Sequence, residues 1–192
     1  MKRLVQKFRK HVQILAANPA FVHHKWYNKY HLEIVERIAI ELCQRYKKAD
    51  KDLVILLVWM HDYGKIALDN NTKDLIKAKK ALQKIGFEEE TIKKAAQYIE
   101  STDRYESLNQ APIEVKIISS ADAAAHLVGP FYSLWWYENP QKRIEDLIDG
   151  DIKKALKDWN KKIVLPEIKK TFRERHRVLL EQRDILNHKF LK

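Results

Sequence analysis

Cysteine occurs once in this 192-residue chain, at Cys43. A single thiol excludes an internal disulfide and points to a reducing compartment, the cytoplasm. Turn formers are scarce too, with four glycines and five prolines. Few breakers among many Lys, Leu, Ala, Ile and Glu argue against a hairpin-rich fold and for an all-α one. No apolar run approaches the ~20 residues that a membrane-spanning helix requires. The opening Met1-Lys2-Arg3 has the look of a secretory n-region, but Lys7, Arg9 and Lys10 interrupt the apolar stretch that should follow, so no signal peptide is expected. Internal repeats, low-complexity tracts and Gly/Ser linkers are also lacking, and one domain over 1–192 is the simplest expectation.

Acidic residues are missing altogether from residues 1–30, which hold seven Lys/Arg. Residues 151–192 hold thirteen Lys/Arg against six acids, whereas residues 31–150 reverse the balance with seventeen against twenty. The net charge of +11 therefore belongs to the two ends. Such ends could draw in anionic substrates or nucleic acid, although a solvated Lys-rich surface is the commoner use of such charge. What is present in quantity is apolar and charged matter, 45% and 33% of the chain, the composition of a folded globular protein.

Hydrophobic periodicity predicts a series of helices. Residues 2–17 place Leu4, Val5, Phe8, Val12 and Leu15 on one stripe, expected to dock on the core rather than lie on a membrane. Asn18-Pro19 breaks this helix, and a connector rich in His and aromatics follows. The next helix, 29–48, has a core stripe of Ile34, Val35, Ile38, Ala39 and Leu42, with Glu33, Glu36, Arg37, Glu41 and Arg45 on its other side. Asp50 or Asp52 can cap the run Leu53 to Met60, which is apolar on every face and reads as a central buried helix ending near Gly64. Asp69 to Thr72 read as a loop with a cap, before helices over 73–85 and 88–102, the first stopped by Gly86. A helix over 112–127 ends at Gly129-Pro130. Five aromatics crowd residues 131–137, where they could stack a base or roof a pocket, although packing or a dimer contact is the commoner use. A helical segment opened by Asn139-Pro140 is expected to break at Gly150-Asp151, and helices over 151–162 and 165–188 finish the chain, the last with Ile168, Phe172, Leu179 and Leu186 inward.

Chemistry-bearing side chains stand out where they interrupt apolar faces. His61-Asp62 closes the buried run, and a carboxylate in such a place needs a cation or strong hydrogen bonds. His31 shares the inward face of Ile34 and Val35, and Asp122 sits inside the cluster of Ala121, Ala124 and Ala125. Singly, each has a plain structural reading: a core histidine bonded to a carbonyl, or an aspartate at the edge of its stripe. Together, His31, His61, Asp62 and Asp122 make a mixed nitrogen and oxygen donor set, suited to one divalent Mn, Fe, Co, Ni or Zn ion. His126, one turn after Asp122, could support such a site or touch a substrate, or could be an ordinary core or surface histidine.

The order His31, His61-Asp62, Asp122 resembles the HD-domain superfamily of metal-dependent phosphohydrolases. The likeness covers roughly residues 20–130 and lies in Tyr30-His31-Leu32-Glu33-Ile34-Val35, Val58-Trp59-Met60-His61-Asp62-Tyr63-Gly64-Lys65 and Ile118-Ser119-Ser120-Ala121-Asp122. It implies an all-α, HD-domain-like helical bundle with additional terminal helices, and one metal shared by the four residues. Binuclear members carry further histidines between the HD pair and the last aspartate; none occurs here between 62 and 125, so one metal is expected. A metal-activated water would then cleave a phosphate ester, a nucleotide by the family's habit. Asp62 could orient the water, and Lys65, one turn on, could offset phosphate charge, giving Asp62 and Lys65 catalytic roles. Substrate contacts are expected from Lys65, His126, Arg37 and His24, with His23 and Lys25 weaker candidates. A small anionic phosphate is the expected partner, without a membrane. The alternatives are a nuclease on single-stranded nucleic acid, guided by the basic ends, and a non-catalytic nucleotide- or nucleic-acid-binding module.

Overall fold

The computed structural model describes residues 1–67 and 75–183, and among these every regular element is helical. In chain order they are α1 (Lys2–Ala16), a π turn (Asn28–Leu32) continuing into α2 (Glu33–Arg45), α3 (Lys51–Met60), the single turn α4 (Tyr63–Ile66), α5 (Ile76–Ile85) and α6 (Glu89–Ser101). A 3₁₀ segment (Tyr105–Gln110), α7 (Ile113–Ala125), α8 (Phe131–Glu138), α9 (Ile144–Lys157), a second π turn (Asp158–Lys162) and α10 (Pro166–Glu181) complete them. No described helix is long and apolar enough to cross a membrane. The loop expected at Asp69 to Thr72 and the end of the last helix, with Leu186, lie outside the described residues.

α3 is the axis of the bundle. Every side chain from Leu53 to Met60 is buried, so the helix needs neighbours all round. α1, α2, α6 and α7 supply them. Asp50 starts it, accepting the Leu53 N–H at 3.0 Å through its side chain. α1 docks through Val5, Phe8 and Val12, as its stripe predicts. α7 is buried from Ile117 to Ala125, and its alanines let α2 lie close against it.

Three expectations need correction. α3 ends at Met60 rather than at Gly64, which is buried inside the following turn α4. Glu36 does not face solvent: it is 6% exposed, accepts from the Trp59 indole at 3.2 Å, and meets the Arg9 guanidinium at 3.0 Å. Nor does Gly150-Asp151 break a helix. α9 runs straight through it because Leu147, Ile152 and Ala155 are buried in series, and this packing outweighs the roughly 1 kcal/mol that a helical glycine costs. Gly86, by contrast, stops α5 at φ 102°, with the Phe87 N–H returning to the Leu82 carbonyl at 3.1 Å.

Candidate metal centre

Three segments distant in sequence meet at the C-terminal end of α3. The wide π turn at residues 28–32 carries His31, the C-cap of α3 is His61, and α7 brings Asp122 alongside. π turns commonly mark functional sites, because the extra residue re-aims side chains that a regular helix would stack. His61 donates from Nδ1 to the Val58 carbonyl at 2.7 Å, which leaves the Nε2 lone pair directed into the site. His31 is 1% exposed and its Nδ1 has no hydrogen-bond partner among the described residues.

His31, His61 and Asp122 form a group that could hold a metal ion. His31 Nε2 lies 3.4 Å from His61 Nε2 and 3.5 Å from Asp122 Oδ1, and His61 Nε2 lies 3.6 Å from the same oxygen. Asp62 Oδ2 stands 3.4 Å from His61 Nε2 and 3.8 Å from His31 Nε2. Donors around a cation at about 2.1 Å sit roughly 3.0–3.5 Å apart, so His31, His61 and Asp122 need little movement to close on one ion. Burial and the neighbouring His126 hold His31 well below the usual histidine range, which keeps its lone pair available. For His61 burial pulls downward, but Asp62 and Asp122 outweigh it and raise the pKa.

Each aspartate turns one oxygen toward the imidazoles and the other toward a lysine. Lys65 meets Asp62 Oδ1 at 2.6 Å, and Lys162 bonds Asp122 Oδ2. The Tyr27 hydroxyl donates to Asp62 Oδ2. Burial alone would raise both carboxyls. His61 and Lys65 hold Asp62 below the carboxylate range instead, and Lys162, His126 and His61 do so for Asp122. Lys162 is brought there by the second π turn, which α7 grips through serines: Ser119 Oγ donates to the Lys162 carbonyl at 3.0 Å, and Ser120 Oγ accepts from the Val164 N–H at 3.1 Å. Beside it, Asp158 bonds His126 Nδ1 at 2.8 Å and Lys154 at 3.0 Å. His126 in turn lies parallel to the His31 ring at 5.1 Å, with Nε2 3.6 Å from Asp122 Oδ1.

The centre opens into a cavity of about 850 Å³. His61, Asp62, Lys65, Asp122 and His126 line it, and Arg37 and His24 do not. Arg37 is exposed on α2, and the His24 ring turns back to the Phe21 carbonyl at 2.9 Å. The neighbouring His23 faces the cavity in its place, tied through Nδ1 to Glu138 at 2.5 Å. Tyr27, Lys154, Asp158 and Lys162 escaped the sequence reading. For the last three a signal existed: Lys154, Asp158 and Lys162 recur every fourth residue, a row of alternating charge on one helical face. The basic C-terminal segment thus belongs to the site rather than standing apart from it. No family model, no curated protein and no solved structure matches this chain.

Proposed function

We propose that the protein is a metal-dependent phosphohydrolase of the HD type, acting on a small phosphate ester such as a nucleotide. The observation that carries the proposal is the approach of His31 Nε2, His61 Nε2 and Asp122 Oδ1 to within 3.4–3.6 Å of one another at the end of a cavity, with Asp62 Oδ2 beside the two imidazoles at 3.4 and 3.8 Å. A neutral His31, a His61 that an ion would deprotonate on binding, and ionised carboxylates suit a borderline divalent ion such as Mn, Fe, Co, Ni or Zn. Bound there, such an ion would supply Lewis acidity and a hydroxide nucleophile at neutral pH.

The chain's own groups divide the remaining work. Lys65 and Lys162 neutralise the two aspartates, so a divalent ion leaves the centre about two charges positive, the complement of a phosphate monoester dianion. The same two ammonium groups flank the place where the phosphoryl oxygens would sit and would follow their growing charge. Asp158 fixes the His126 ring through Nδ1, leaving Nε2 as the atom that can exchange a proton with the reacting group. Tyr27 lines the inner wall with its ring packed against His31 at 4.8 Å. Seven carboxylates and five lysines line the cavity, a balance that favours a small ester over a polyanionic strand.

The test is turnover of a panel of phosphate monoesters by protein loaded with Mn²⁺, Co²⁺ or Ni²⁺. Activity is expected with at least one ion and is expected to fall at least a thousandfold in His61→Ala and Asp122→Ala. No turnover of any phosphate ester by metal-loaded protein would defeat the proposal.

A further inference from the structure

α9 lays one face along the whole cavity. Leu147, Gly150, Asp151, Lys154 and Lys157, followed by Asp158 at the start of the second π turn, line it at the spacing of a single helical stripe. The stripe has two ends. Asp158 holds His126 beside the metal centre, while Asp151, seven residues earlier, lies roughly 10 Å away along the helix axis. That is about the reach of a nucleoside monophosphate from its phosphorus to the far edge of its base.

The far end is built for a hydrogen-bond donor. Asp151 is 3% exposed; its Oδ2 accepts from the Trp136 indole at 2.7 Å, and its Oδ1 has no partner among the described residues. The Tyr132 ring lines the same cavity, while its hydroxyl is sealed from solvent and has no hydrogen-bond partner among the described residues. Buried polar atoms left in this way are costly unless a ligand or water completes them. Tyr105, Tyr132 and Trp135 give the walls flat aromatic surfaces. Gly150, which also lines the cavity, leaves open space there, since a Cβ built on it meets nothing within 4 Å among the described residues.

We propose that Asp151, Tyr132 and the gap at Gly150 form a subsite for the organic part of the substrate, a planar heterocycle presenting an N–H donor, as a nucleobase does. This rests on the phosphohydrolase reading, which places the phosphoryl group at the other end of the stripe. The aromatic walls hold the ring's faces, and Asp151 Oδ1 accepts from its edge.

Calorimetric titration of the metal-free full chain with AMP, GMP, CMP, UMP and ribose 5-phosphate tests the subsite. At least one nucleotide is expected to bind tenfold or more tightly than ribose 5-phosphate. That advantage is expected to fall at least fivefold in Asp151→Asn, where the amide oxygen turns to the indole and its NH₂ faces the ligand's donor. Gly150→Leu, which fills the gap while favouring the helix, is expected to do the same and carries the test if the first variant fails to fold. Equal affinity for nucleotides and ribose 5-phosphate, or an advantage that survives Gly150→Leu, overturns the subsite. Failure of the phosphohydrolase reading leaves a different mark: no ester is turned over with added Co²⁺, ribose 5-phosphate included, while the binding preference stands.

Discussion

Lys162 sets the charge that an incoming ion meets. It occupies Asp122 Oδ2, so Lys162→Met should free that carboxylate for the metal while removing a cation from the phosphate side. Co²⁺ is expected to bind about tenfold more tightly in the variant, or about 1.4 kcal/mol, and KM for a phosphate ester to rise by a similar factor. Calorimetry for the ion and steady-state kinetics for the ester read the two shifts separately, and a parallel loss of both affinities would contradict this role. Asp151 acts in another way. Burial raises its pKa from 3.8 to about 6, against the Trp136 hydrogen bond that lowers it. A carboxyl whose folded pKa lies above its unfolded value costs nothing below pH 3.8, costs more as pH rises to about 6, and carries the full penalty above that. Asp151→Asn is therefore expected to raise the melting temperature at pH 8 by about 5 °C, from a penalty of roughly 2 kcal/mol, and to converge on the wild type near pH 4. His31, His61, Asp62 and Asp122 were legible in the sequence because each interrupts an apolar face. Glu36, Lys162 and Asp158 were not, because a charge on an amphipathic helix reads as solvated until its partner arrives from another element, as Arg9 and Trp59 do for Glu36.

Elements divide along the same line. α3 announces itself, since eight apolar residues in succession can only be packed on all sides, and α1 shows its docking stripe in its periodicity. The π turns do not, because one extra residue in a helical turn changes no composition and only shifts phase. The first of them carries His31 to the site, and the second bends the chain after α9 so that Lys162 reaches Asp122. Glycine misled twice in the same direction, as a stop that proved helical: Gly64 lies within α4, and Gly150 sits inside α9 where its missing side chain adds room to the cavity. Because Gly150 has ordinary helical geometry and open space around it, Gly150→Ala is expected to stabilise the fold by about 1 kcal/mol, a rise of roughly 2–4 °C in melting temperature by calorimetry. A fall instead would mean that the backbone at Gly150 is strained or closely approached.

At the scale of the molecule, the proposed ion is a staple. Its donors come from the turn before α2, the end of α3 and the middle of α7, and His31 and Asp122 are separated by about ninety residues of chain. The unfolded chain does not hold those donors together, so the ion's affinity adds to folding stability by mass action. At a free-ion concentration 100 times Kd the gain is about 2.7 kcal/mol, which for a chain of this size moves the melting temperature by roughly 5–10 °C. Mn²⁺, Co²⁺ or Ni²⁺ is expected to produce that rise in thermal melts, with a slope that follows the logarithm of ion concentration, and EDTA to reverse it. His61→Ala removes a donor whose Nδ1 also ties the end of α3, so its baseline should drop somewhat, but its melting temperature should no longer respond to the ion. Asp122→Ala leaves the α3 end intact but strands the Lys162 ammonium, so its baseline should drop as well, while its melting temperature should likewise no longer respond to the ion. A melting temperature that climbs with Co²⁺ equally in the wild type and in both variants would place the ion elsewhere on the surface and remove the ground for a metal centre in this bundle.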